Sequence, residues 1–170
     1  MNANPTTTVY HLEMCDPTSF APKAESPDFK VSLVDPPNPR LNQQFYQDVG
    51  SPWQWTDRLS WQDHDWHPYV YRDALRTWIG SWHGRPAGYF ELESQDDGNL
   101  EIMYLGLLPD FIGQGLGGIL LSSAIQRAWQ TPNTRRVWLH TCDHDHKHAL
   151  DNYLKRGFQL FKTEREYQSS

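Results

Sequence analysis

The stretch HTCDHDHKH, residues 140–148, concentrates four histidines, one cysteine and two aspartates, all residue types that bind divalent metals. On a strand, His140 and Cys142 would share a face. On a helix, His144 and His148 would lie one turn apart. A zinc site needs ligands that converge, however, and a tract passing from strand to helix splays them. No metal is therefore expected, and a metalloprotein built on this cluster stands as a rival reading.

A second chemical feature is YLGLLPDFIGQGLGGILL, residues 104–121, where a strand meets a glycine cluster that opens a helix. The exposed N–H groups of a helix N-terminus, with no side chains in the way, suit a phosphate or pyrophosphate. The phosphate loop of NTPases needs a lysine that is absent here. The dinucleotide pattern GxGxxG is met literally by Gly113, Gly115 and Gly118, but about fifty residues follow, too few for a doubly wound sheet. The acidic residue of that pattern would have to be Asp143, which comes late. A plain tight turn remains the other alternative.

The elements that must position these groups are read from periodicity. Strands are expected at Thr8–Met14 and Phe29–Val34, and short helices at Arg40–Val49 and Trp61–Tyr69. LRTWIGSW, AGYFELES and LEIMYLGLL then form an antiparallel meander. Gly117, Leu120, Leu121, Ala124, Ile125 and Ala128 keep the spacing of one buried helix face. RRVWLHTC reads as a strand, Asp145–Arg156 as a helix stopped by Gly157, and FQLFKTERE as a last strand. The whole is one α/β domain over 1–170, with residues 1–7 expected to be disordered.

Composition narrows the partners. Eight Trp, eight Tyr and seven Phe must supply much of the core. A net charge of −6 opposes general nucleic-acid binding and favours a neutral or cationic partner. No stretch approaches the ~18 apolar residues of a membrane span, and MNANPTTTVYHLEM lacks the character of a secretory signal. A soluble cytoplasmic protein, monomer or homodimer, is expected. Cys15 and Cys142 have no redox or metal spacing, so free thiols are expected.

LLPDFIGQGLGGILL resembles the acetyl-CoA loop of the GNAT superfamily of N-acetyltransferases, in which a Pro precedes Arg or Gln, two residues, Gly, one residue, and Gly or Ala. Gly113, Gln114, Gly115, Leu116 and Gly117 match, with Gly118 following; Ile112 stands where Arg or Gln is usual. HALDNYLKRGF is similar to the family's closing motif at Ala149, Tyr153, Gly157 and Phe158, with His146 in place of a common Asn. The element order from Thr8 to Glu166 agrees as well.

The resemblance implies a mixed, mostly antiparallel central sheet flanked by helices, acetyl-CoA as donor, no metal, and direct transfer to a primary amine of a small molecule or amino-acid-like acceptor. It places CoA contacts at Leu105, Gly106, Leu107, 112–118 and His146, with Leu105 and Leu107 pairing with the pantetheine arm. The proton of an amine of pKa ~10.4 must be removed at neutral pH. Glu91, which shares a face with Glu93 and Tyr89, is the expected base, with Glu101 next. Tyr153 is expected to protonate the leaving thiolate, and Trp53, Trp55 and Arg58 to lie at the acceptor. A non-catalytic acyl-CoA binding module is the remaining alternative.

Overall fold

Alternation of burial marks the strand Thr6–Met14, and a one-sided apolar face builds the helix Leu116–Gln130, whereas the strand Arg85–Ser94 is buried at six consecutive positions and the strand Gln159–Tyr167 is exposed almost throughout. The computed structural model describes residues 6–167. In chain order it contains strands β1 (Thr6–Met14) and β2 (Phe29–Leu33), helices α1 (Pro39–Gly50) and α2 (Asp63–Val70), and strands β3 (Leu75–Trp82), β4 (Arg85–Ser94) and β5 (Asn99–Leu107). Helix α3 (Leu116–Gln130), strand β6 (Arg136–Cys142), helix α4 (Ala149–Lys155) and strand β7 (Gln159–Tyr167) follow. Of the segment expected to be disordered, residues 1–5 lie outside the described residues, and Thr6 and Thr7 belong to β1.

All seven strands form one sheet in the order β2-β3-β4-β5-β6-β1-β7. Every pairing is antiparallel except β5 with β6. The N-terminal strand thus inserts between β6 and β7, far from β2, a placement that local periodicity does not encode.

Two cores flank the sheet. On one face, Leu116, Leu120, Leu121, Ala124, Ile125 and Ala128 of α3 pack against Phe90, Leu92, Leu100, Ile102, Val137 and Leu139. On the other, Tyr46, Trp66, Val70 and Leu75 form a smaller cluster joined by Trp55, Trp61, Tyr69 and Tyr104. The tryptophan-rich tract therefore serves mainly as packing, with Trp66 almost fully buried. Both cysteines are free thiols. Among the described residues no helix is long and apolar enough to cross a membrane.

Two irregularities shape the middle of the sheet. Glu91 pairs with Tyr104 and Leu92 with Ile102, which leaves Met103 as an extra residue in β5. Such a bulge shifts the alternation of side chains. Glu101 and Tyr104, three positions apart, consequently face the same side as Glu93 and Glu91. Two residues before the bulge, the parallel pairing of β5 with β6 ends at Glu101 and Trp138. Both strands continue, β5 held by β4 as far as Leu107 and β6 held by β1 as far as Cys142. Since each follows its outer neighbour, the two diverge and a wedge opens between them.

Candidate active site

The diverging ends of both strands line a cavity of about 900 Å³. Its walls come from β5 (Met103 to Leu107), the start of α3, β6 (Leu139 to Cys142), the 144–149 turn and α4. The segment between α1 and α2 closes one end with Trp53, Trp55 and Asp57.

At the other end lies the glycine loop. Leu105, Gly106, Leu107, Ile112, Gly113, Gly115, Leu116, Gly117 and Gly118 all line the cavity. Gly113 and Gly115 have φ of +86° and +77°, a region that side chains other than glycine rarely occupy. Gly115 is the N-cap of α3 and contributes no side chain, so the free N–H groups of the first turn stay open to an anion. Gln114 departs from expectation: it does not line the cavity, and its Nε2 donates to the Asp110 carbonyl oxygen at 3.1 Å.

Lys23, which the sequence did not single out, lies against this loop. Its Nζ donates to the Gly115 carbonyl oxygen at 2.6 Å, and its backbone N–H donates to Ser122 Oγ at 2.9 Å. Only the absence of a side chain at Gly118 lets its stem pass, since a Cβ there would stand 2.7 Å from Lys23 Cδ. A contact 92 positions apart in the chain left no local signature.

The histidine-rich tract is rearranged relative to expectation. Helix α4 starts at Ala149, not Asp145, and neither Asp143 nor Asp145 caps it. Asp145 instead turns back, its Oδ2 accepting from Thr141 Oγ1 and from the Cys142 N–H, because a short carboxylate readily satisfies nearby backbone donors. Its Oδ1 accepts from Trp55 Nε1 at 3.2 Å, and Trp53 stands edge-on to His146 with ring centroids 5.2 Å apart. Two loops thereby meet across the cavity. His144 contacts Thr7 Oγ1 at 2.9 Å, and His146 lines the cavity beside Asn152. Among the described residues no group of three or more His, Cys, Asp or Glu is arranged to hold a metal ion.

Tyr153, from the first turns of α4, lines the cavity with its ring edge-on to Phe158. Burial, followed by the charges of Asp145 and Cys142, pushes its phenol well above the usual tyrosine range, so the hydroxyl keeps its proton.

The two carboxylates proposed from sequence part company. Glu91 does not reach the cavity: it is fully buried, and its carboxylate accepts from Tyr69 Oη at 2.6 Å, Asn42 Nδ2 at 3.0 Å and Arg58 Nη1 at 3.3 Å. Arg58 is no freer. It is 6 % exposed and enclosed by Tyr69, Tyr104 and Trp61, with its guanidinium 4.0, 4.4 and 4.6 Å from their rings. Arg58, expected at the acceptor, is therefore the partner of the expected base, both withdrawn from the cavity by mutual neutralisation. Glu101 is also buried and does not itself line the cavity, but it lies at the point of divergence, where His140 Nδ1 stands 3.2 Å from its Oε1. His140 lines the cavity. Trp53 and Trp55 line it as expected.

The chain belongs to the Acetyltransferase (GNAT) family, whose profile matches residues 9–158. Among solved structures it resembles a GCN5-related N-acetyltransferase from Kribbella flavida, with a TM-score of 0.67 and 17% identity, over 92% of this chain and 55% of that one. One from Sphaerobacter thermophilus gives 0.72 and 12%, over 96% and 52%. An aminoglycoside acetyltransferase from an uncultured soil metagenomic sample gives 0.61 and 13%, over 76% and 87%. These identities establish a shared fold, and the chain spans about half the length of the first two. No curated protein matches the sequence.

Proposed function

We propose that the chain transfers the acetyl group of acetyl-CoA directly to a primary amine of a small molecule or amino-acid-like acceptor. One observation carries this reading: a single cavity joins a glycine loop at a helix N-terminus to an acidic, tryptophan-walled compartment through the gap between two diverging strands. The first end suits a pyrophosphate. The second suits a cation, through Asp57 and the faces of Trp53 and Trp55.

Acetyl-CoA brings an acyl carbon activated by a thiol leaving group. The amides of Gly115 to Gly118 would hold its pyrophosphate, and the edge of β5 at Leu105 and Leu107, turned away from β6, would pair with the pantetheine amides. Met103, the bulge residue, offers a backbone N–H to the carbonyl oxygen as it gains charge. Tyr153 donates its proton to the departing sulfur. Aminoglycosides and polyamines belong in an acceptor screen beside amino acids, one structural relative being an aminoglycoside acetyltransferase.

The direct test is acceptor-dependent release of free thiol from acetyl-CoA, with the acetylated amine identified by mass. Release with one amine class is expected. Tight acetyl-CoA binding without turnover over the whole panel would favour a binding module instead.

Lys23 supplies a separate expectation. It places an ammonium beside the loop in which Ile112 replaces the usual Arg or Gln. Lys23→Met should weaken acetyl-CoA binding by about tenfold or more, the size of one hydrogen bond between charged groups. Affinity for acetyl-pantetheine, which lacks the phosphates, should not change. Calorimetry on both ligands checks this.

A further inference from the structure

At the point where β5 and β6 separate, the last paired residue of β5 meets a residue two positions beyond the last paired residue of β6. These are Glu101 and His140. Glu101 is only 5 % exposed and is fixed from behind: Gln95 Nε2 donates to its Oε2 at 2.8 Å, and Gln95 Oε1 accepts from Trp138 Nε1 at 3.0 Å. His140 has a half-exposed side chain that reaches the cavity. Its Nδ1 is directed to Glu101, which leaves Nε2 without a protein partner among the described residues.

We propose that His140 is the base that takes the proton from the acceptor amine, and that Glu101 is the positioning residue that fixes its ring and tautomer. The inference rests on the acetyltransfer reading and deepens it. Held 3.2 Å from the Glu101 carboxylate, Nδ1 is the nitrogen that keeps its proton, so Nε2 carries the free lone pair. Neither carboxylate lines the cavity, but Glu91 has its oxygens occupied by Arg58, Tyr69 and Asn42, whereas Glu101 is in contact with a side chain that does.

His140 Nε2 takes one proton from the ammonium and returns it to solvent. The nitrogen–carbon bond forms, the carbon–sulfur bond breaks, and Tyr153 gives its proton to sulfur. The second proton lost by the nitrogen restores the tyrosine. The net products are the amide, the free thiol and one proton.

The groups facing His140 come from every neighbouring element. They are Glu101 on β5, Trp138 on its own strand, and His11 on β1, with ring centroids 5.9 Å apart and its Nε2 3.0 Å from Glu164 on β7; Asp57 and Asp145 approach from the two loops. The hydrogen bond to Glu101 raises the His140 pKa; burial works against it, and the charges of Glu101, Asp57 and Asp145 reinforce the rise. A raised pKa makes a stronger base, and turnover must therefore climb with pH as His140 loses its proton.

The test compares His140→Gln and Glu101→Gln with wild type, using the pH dependence of kcat/KM and an NMR titration of the His140 ring. His140→Gln is expected to lower kcat by about 10²-fold or more and to abolish the acid limb, with acetyl-CoA affinity unchanged. Glu101→Gln should move both the NMR titration and the acid limb to lower pH by the same amount. Wild-type turnover and an unaltered acid limb in His140→Gln would overturn the assignment. So would a Glu101→Gln variant whose ring titration shifts while the limb stays. A wild-type chain that acetylates no amine would overturn both this assignment and the reading beneath it, so the two failures are distinguishable.

Discussion

Replacing Tyr153 with phenylalanine is expected to lower kcat by about 10²–10⁴-fold, the usual span for losing a positioned acid. Acetyl-CoA affinity and thermal stability should remain near wild type. The tyrosine ring is held by packing against Phe158, which phenylalanine preserves, whereas the hydroxyl makes no hydrogen bond among the described residues. Its loss therefore removes a donor and breaks no structural contact. The raised pKa of the phenol keeps it protonated and able to donate. An ordinary thiol has a lower pKa, near ~8.5, so the transfer to sulfur is uphill by itself and is completed by the second proton of the amine, which returns to the phenolate. Comparing a second acetyl thioester with a more acidic thiol tests the role itself. Such a group needs less help to leave, and the defect should shrink.

The second large effect concerns stability. Arg58→Met should destabilise the fold by about 3–5 kcal/mol, because it leaves the Glu91 carboxylate buried without its counter-ion. At about 2–4 °C per kcal/mol for a chain of this size, the melting temperature should fall by roughly 10 °C. Arg58 also supports the aromatic cluster through Tyr69, Tyr104 and Trp61, so part of the loss is packing. The informative partner is the double variant Arg58→Met, Glu91→Leu, which removes both charges. Much of the lost stability should return, since a buried ion pair is often replaceable by apolar residues of similar volume. Thermal melts of single and double variants, with turnover measured below the transition, separate bracing from catalysis. Turnover retained in the double variant would show that Glu91 is not the base.

How far the sequence could be read follows from the range of each signal. Short strand-type runs marked β1 to β7, and the one-sided apolar pattern of α3 was legible because it repeats within four turns. The Gly113 to Gly118 cluster was legible for the same reason: its conformational demand is local to one strand-to-helix join. The start of α4 was misplaced because Asp145 is a good helix cap in isolation, yet it bonds to Cys142, Thr141 and Trp55 instead. Local cap preference lost to a tertiary contact with Trp55, ninety positions away.

The amino-acid sequence by itself determined the elements, their order, the apolar faces and the glycine loop, all set by short-range periodicity and backbone sterics. Tertiary structure alone decided which carboxylate meets which cation. Glu91 and Glu101 are equivalent as strand residues, but the bulge at Met103, the separation of β5 from β6 and the burial of Arg58 give them different partners. One is locked against an arginine and the other opens onto the cavity through His140. The insertion of β1 beside β6, which sets His11 opposite His140, was likewise decided at that level. Charge pairing depends on distance in space, and only the folded chain defines those distances.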